Sequence, residues 1–206
     1  MKGLLGTILI LTLTITAAAQ MVPGATGTAG STGTSQRGPA AARGGGGAPM
    51  ALTSSSWPDG GMVPAKNAGA NGASPELSWK NPPNGTVSFV LLMHDPDVAR
   101  NRTSEDVLHW LMFNIPGNKN ELVEGLAAGT LADGSIQIKN VSGANGYRGP
   151  GAPASGPVHH YTIELFALDT KLGLGADASR DDVWKAMQGH VLGKAVYVGL
   201  YKQPAQ

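Results

Sequence analysis

Cysteine is absent from this 206-residue chain, which excludes a disulfide scaffold, a thiol nucleophile, Fe–S ligation and any zinc site built on thiolates. Charge is sparse as well: Asp, Glu, Lys and Arg make up 14% of the residues and the formal net charge is +1. From residue 51 onward twelve Lys and Arg face fourteen Asp and Glu, a formal −2. That balance supplies neither a basic nucleic-acid footprint nor an acidic tail. Aromatic residues are only 5%. An HExxH zincin motif, a GxSxG elbow and a Walker sequence are also missing, so the common metallohydrolase, serine-hydrolase and nucleotide-binding signatures are not present. Metal or nucleophile chemistry is left to His, Asp, Glu, Ser, Thr and Tyr. The length fits one domain with extra segments.

No apolar run is long enough to read as a membrane span. Lys2 gives a short positive start, Leu4 to Ile15 is apolar but diluted by Gly and Thr, and Ala17-Ala18-Ala19 supplies small residues for cleavage. Residues 1–19 therefore read as a secretory signal peptide, and no Cys follows that could carry a lipid anchor. The expectation is an exported bacterial protein, periplasmic or secreted, with no transmembrane span in its mature form. Lack of cysteine is compatible with that, since an oxidising compartment permits disulfides without requiring them. Residues 20–50 are a different polymer: 24 of the 31 are Gly, Ala, Ser, Thr or Pro, and Gly44 to Gly47 is unbroken glycine. Such a stretch cannot bury enough surface to offset its ordering entropy, so it reads as a disordered linker. A phosphate cradle is a poor alternative, because no strand precedes the glycines and no Lys-Ser/Thr pair follows.

Residues 51–206 read as one mainly β domain. Val87–Met93, Trp110–Ile115, Tyr161–Leu168 and Ala195–Tyr201 are near-continuous apolar runs, as strands covered on both faces should be, and Glu76–Trp79 is a shorter one. One helix is legible. Ser179 is its N-cap, Asp182 stands three residues on, and Val183, Met187 and Val191 recur at spacing four, with Gly193 as the expected stop. Several strands with a few short helices predict an antiparallel β-sandwich.

Chemistry is expected where strands end. His94-Asp95-Pro96-Asp97 closes the first long run, since Pro96 cannot continue a ladder, and His109 opens the next. Paired antiparallel, the two strands would bring Asp95 to His109. In His159-His160-Tyr161 the period of two puts His159 and Tyr161 on one side and His160 on the other. Four of the five histidines and two aspartates thus gather at strand ends. Trp79, Trp110 and Trp184 read as core, and His190, at the helix end, stands apart from the cluster.

The strings SPELSWKNPPNGTVSFVLLMHDPDV, HWLMFNIP, GYRGPGAP and HHYTIELFALD, in this order over about residues 51 to 203, resemble the phosphatidylethanolamine-binding protein family in its bacterial Raf-kinase-inhibitor-like branch. The resemblance implies a β-sandwich with short helices and a small anion pocket at strand ends. It implies that Asp95, His109, His159 and Tyr161 match the pocket residues, that Gly149 and Pro150 line the pocket with backbone, and that Asp97 belongs to the DPD motif. Two departures fall on the rim. Val98-Ala99 follows DPD where the family has Ala-Pro, and a double proline is reduced to Pro153-Ala154.

In such a pocket a phosphate or carboxylate would be held by imidazole N–H groups of His109 and His159, by the Tyr161 hydroxyl and by amides of the Gly-rich 146–151 turn. Asp95 would accept from His109 or His159, fixing the tautomer and favouring the imidazolium, or would meet an amine of a zwitterion. Arg148 is a candidate rim charge. The leading expectation is a binding protein for a small anion or a phospholipid head group, with no turnover, no cofactor, no resident metal and no nucleic-acid partner. Two alternatives stand: an inhibitor of a partner kinase or hydrolase, and a metal-assisted hydrolase built on His94, Asp95, His109 and His159.

Overall fold

A computed structural model describes residues 48–205; the signal peptide and nearly all of the linker expected from the sequence lie outside the described residues. The long apolar runs form the centre. Strands β1 (Ala51–Thr53), β2 (Gly61–Met62), β3 (Leu77–Lys80), β4 (Ser88–Asp95), β5 (Val107–Pro116), β6 (Glu121–Leu122), β7 (Ile136–Gln137), β8 (His159–Leu168) and β9 (Val191–Tyr201) make two sheets. The smaller has the order β1-β3-β6 and the larger β2-β9-β8-β4-β5-β7. Every ladder is antiparallel except the short pairing of β2 with β9. No helix among the described residues is long and apolar enough to cross a membrane.

Alternation along the strands assigns residues to two layers. Phe89, Leu91 and Met93 of β4 pack with Ile163 and Leu165 of β8 and with Leu77 and Trp79 of β3, between the sheets. Val90 and Leu92 face the other way, where Val183 and Met187 of helix α1 (Arg180–Met187) close the second layer. β4 is covered on both faces, which is why its sequence is apolar without alternation. This is the sandwich expected from the sequence, with Trp79 and Trp110 buried in it and the half-buried Trp184 edge-on to Phe166.

Helix α1 starts as its sequence dictates. The Ser179 hydroxyl accepts from the Asp182 amide and the Asp182 carboxylate accepts from the Ser179 amide. Its end differs from expectation. The helix stops at Met187, Gly189 takes φ +84°, and Val191 and Gly193 belong to β9. A glycine in the left-handed region just past the last turn ends a helix by exposing its final carbonyls to other donors; the apolar spacing to Val191 is a strand residue coinciding with helical period.

Two bulges interrupt the β4–β5 ladder, between Phe89 and Leu91 and between Met93 and His94. At the first, Asn114 sits at φ +58° and its amide both donates to the Leu172 carbonyl (2.9 Å) and accepts from the Leu172 amide (2.8 Å). At the second, Met93 pairs with Trp110 and His94 with Leu108, so His109 is the extra residue. A bulge re-aims a side chain, and this one turns His109 to the face shared with Trp110.

Candidate functional site

Strand β4 delivers Asp95 at its last position, and the Asp97 amide donates back to Asp95 Oδ1 at 3.0 Å, an Asx turn that closes the DPD corner. The β4–β8 register sets His94 opposite Thr162, which brings the start of β8 beside Asp95. His159 Nδ1 then donates to Asp95 Oδ2 at 2.8 Å. The acceptor is 3% exposed. Asp95 thus accepts from His159, one of the two partners left open by the sequence.

Tyr161, two residues along β8 on the same face, is flanked by both rings. His159 stacks beside it with centroids 6.5 Å apart and His109 meets it edge-on at 5.0 Å. Its hydroxyl accepts from the Gly151 and Ala152 amides at 3.2 and 3.1 Å. Burial, partly offset by those amides and reinforced by the charge of Asp95, pushes its pKa up to about 12, so the phenol keeps its proton. His160 points to the other side, as the period of two requires. Its amide and ring Nδ1 both donate to Asp97 Oδ2, at 2.5 and 3.0 Å. Burial pushes the Asp97 carboxyl up, but these two bonds and the neighbouring imidazoles outweigh it and hold the group below its usual range.

His109 Nδ1 donates to the Arg148 carbonyl at 2.8 Å. Burial lowers its pKa, and the Arg148 guanidinium adds to the effect against the raising influence of the carbonyl bond and Asp95. The lowered pKa disfavours the imidazolium, and the Nδ1 proton that the sequence reading assigned to an anion goes to the Arg148 carbonyl instead.

Three amides of the 146–151 turn are likewise bonded within the protein. The Arg148 amide donates to His109 O (3.0 Å), the Gly149 amide to Gly69 O (3.0 Å), and the Gly151 amide to Tyr161. Gly149 and Pro150 are strapped to the Asn67–Gly69 segment, with a second bond from the Gly69 amide to Pro150 O at 2.7 Å. A Cβ at Gly149 would stand 2.5 Å from Asn67 O, so only glycine permits the approach. Sequence reasoning missed Asn67, fully buried and far away in the chain, and nothing local marks it.

His94 does not join the cluster. It follows Leu92 onto the helix-covered face, where Nδ1 donates to Asp106 Oδ2 at 2.5 Å and Arg180 bonds both oxygens of the same carboxylate. A cavity of about 470 Å³ beside this network is lined by Arg100, Leu108, Arg180 and Trp184 among others. His190 pairs with Asp169 at 2.8 Å on the surface, apart from the pocket as expected.

Burial pushes the Asp106 carboxyl up, yet the bonds and charges of Arg180 and His94 outweigh it, and the net pKa lies below the ordinary value. A depressed native pKa stabilises the fold fully above the unfolded-state pKa, and the gain vanishes as pH falls through the native one. Asp106→Asn should therefore lower the melting temperature at neutral pH, with the gap to wild type closing below about pH 4. Thermal unfolding across pH checks this; a gap that persists to about pH 2 would refute it.

Among the described residues Asp95, Asp97 and His159 each offer a ligand atom, and these atoms lie within 4.8 Å of one another. The cluster combines an Asp-bonded imidazole, a protonated phenol, a second, buried imidazole and an exposed carboxylate.

The sequence model of phosphatidylethanolamine-binding proteins matches residues 53–202. A UPF0098 protein of Methanothermobacter thermautotrophicus is 44% identical over 156 residues, covering 75% of this chain and 99% of that protein. The UPF0098 protein YbhB of Escherichia coli is 33% identical over 156 residues, covering 72% of this chain and 91% of its own. The crystal structure of Escherichia coli YbcL, described as a member of the mammalian family of the same name, superposes with a TM-score of 0.68 at 26% identity, over 76% of this chain and 99% of that one. A phosphatidylethanolamine-binding protein homolog, CT736 of Chlamydia trachomatis, gives 0.67 at 29% identity, over 75% and 98%. With its sandwich and these relatives, the chain belongs to the phosphatidylethanolamine-binding protein family, in the bacterial branch that includes YbhB.

Proposed function

We propose that the strand-end pocket binds a small anion, a phosphate or carboxylate such as a phospholipid head group carries, without turning it over, in a protein exported from the cytoplasm. The observation that carries the reading is the 2.8 Å bond from His159 Nδ1 to the buried Asp95. Asp95 fixes the ring through Nδ1 and leaves Nε2 as the atom an anion would meet. The Tyr161 phenol beside His159 and the Arg148 guanidinium, near enough to His109 to act on its charge, are further candidate donors. The dyad lacks a nucleophile: among the described residues no Ser, Thr or Lys side chain hydrogen-bonds the His159 or His109 ring. That supports binding over catalysis. Export rests on the amino-terminal pattern of residues 1–19.

Titration with phosphoethanolamine by calorimetry or NMR tests the reading. Removing one charge-assisted hydrogen bond costs about 1.5–3 kcal/mol, roughly tenfold to a hundredfold in affinity. His159→Ala and Asp95→Asn should lose that much, His190→Ala nothing. Equal affinities in all four proteins would overturn the assignment.

A further inference from the structure

We propose that the cavity of about 470 Å³ beside helix α1 is a second binding site, for a zwitterionic α-amino acid with a large apolar side chain, free or within a dipeptide. None of its lining residues belongs to the strand-end cluster, so the inference does not rest on the anion reading above. The volume falls within the range of small-ligand pockets, about 300–1,000 Å³.

The half-buried part of the cavity is built in advance. Arg180 bonds both oxygens of Asp106 through Nη1 and Nη2, and its guanidinium lies over the Trp184 ring with Cζ 5.6 Å from the centroid. Trp184 is in turn edge-on to Phe166 at 5.4 Å, and Leu108 packs against the same layer. A planar guanidinium pinned by a carboxylate and an indole needs no ordering when a ligand arrives, which removes one cost of binding. Leu108 and Trp184 supply apolar surface there, and Arg180 and Asp106 neutralise each other.

The remaining charges are uncommitted. Half-buried Arg100 and exposed Glu105 and Asp181 also line the cavity, and among the described residues none of these three side chains has a hydrogen-bond or ion-pair partner. Arg100 and Glu105 are nonetheless neighbours. The Arg100 amide donates to the Glu105 carbonyl at 2.8 Å, and the Thr103 amide and hydroxyl close the loop between them onto the Arg100 carbonyl, at 2.8 and 2.9 Å. Inside that loop Asn101 and Arg102 both take left-handed backbone, φ +51° and +60°, without being glycine; strain of this kind collects at ligand clamps. A cation and an anion held side by side and left unpaired match the carboxylate and ammonium of an α-amino acid, which share one carbon. Asp181 offers the ammonium a second acceptor. A simple anion would meet two free carboxylates and a simple cation would meet Arg100, so the charge pattern favours a zwitterion over either.

The test uses Trp184 as its reporter. Trp57, Trp79 and Trp110 are buried, which leaves Trp184 as the half-buried indole. L-Phenylalanine titrated into wild type should change the tryptophan emission, with calorimetry giving the affinity. Trp184→Phe should lose the emission change. Arg100→Ala and Glu105→Gln should each bind roughly tenfold more weakly, the loss of one charge-assisted contact, and His190→Ala should match wild type. On wild type alone, 3-phenylpropionate lacks the ammonium, phenethylamine lacks the carboxylate and glycine lacks the apolar group, and each should bind roughly tenfold more weakly than phenylalanine. Glycyl-L-phenylalanine separates the two sources: tighter binding than phenylalanine keeps the site and names a peptide. No binding of either compound, or 3-phenylpropionate or phenethylamine binding as well as phenylalanine, overturns the proposal, as does unchanged affinity in both Arg100→Ala and Glu105→Gln. The analogue series is independent of whether any variant folds.

Discussion

Trp110→Ala is expected to cost about 3–5 kcal/mol of stability, the range for deleting a buried large aromatic. For a domain of this size that is a fall of roughly 6–20 °C in melting temperature. The side chain is fully buried between the sheets, its indole N–H donates to Gln137 Oε1 at 2.7 Å, and its ring meets Tyr147 edge-on at 5.4 Å. Gln137 in turn donates to the Ala127 and Gly129 carbonyls, at 2.7 and 3.1 Å, so the cavity left behind would also orphan a buried amide. The damage reaches the pocket. Tyr147 OH donates to Asn67 O at 2.6 Å, the same oxygen that a Cβ at Gly149 would strike. Chemical denaturation of wild type, Trp110→Phe and Trp110→Ala orders the contributions. Phe keeps most of the packing and loses the N–H bond, so its cost should fall between the other two; a loss below about 1 kcal/mol for Ala would contradict the packing described.

Gly149→Ala should combine destabilisation of about 3 kcal/mol, the upper end for overpacking a rigid site, with loss of ligand binding. The new methyl would lie 2.5 Å from Asn67 O and 2.7 to 2.8 Å from Ala68 backbone atoms, and backbone cannot rotate aside as a side chain tip can. Relief requires parting the two bonds that join Gly69 to Gly149 and Pro150, which moves the pocket wall. Gly151→Ala is the matched control. It lies two residues away, is exposed, and a Cβ there meets nothing within 4 Å. Thermal unfolding and head-group titration on both variants should separate them cleanly, and similar behaviour of the two would mean that the Asn67–Gly149 approach is not what shapes the site.

The elements that could be read from the sequence are those whose cause is local. The apolar runs of β4 and β8 follow from burial on both faces, the α1 N-terminus follows from Ser179 and Asp182, and the sidedness of His159-His160-Tyr161 follows from strand geometry alone. The stop of α1 was also within reach, because Gly189 is the residue that takes the left-handed conformation. What could not be read depends on pairing across long separations. The Asp95–His159 bond requires the β4–β8 register, 64 residues apart in sequence. The spending of the turn amides requires Gly69, which no motif links to Gly149. His94 and Asp95 look alike in the string HDPD, yet one proton donor lies under the helix and the carboxylate lies between the sheets, since neighbours on a strand face opposite ways.

The extra residue at the second β5 bulge acts as a phase shift. Upstream of it Leu108 packs on the helix side; downstream Leu111 and Phe113 do the same, and Trp110 and Met112 occupy the inter-sheet side. Strict alternation would put Leu108 with Trp110 and send the imidazole beneath the helix. The extra position at His109 resets the count and presents the imidazole to Tyr161 instead. Pocket chemistry here is encoded by chain length as well as by residue type. An insertion or deletion between Asp97 and Asp106 changes only the size of a loop, whereas one between Val107 and Trp110 exchanges leucine for histidine at the pocket while every amino acid of the site is still present. A comparison of relatives that scores identities position by position would rate such a chain as intact, although its parity, and with it its ligand, had changed.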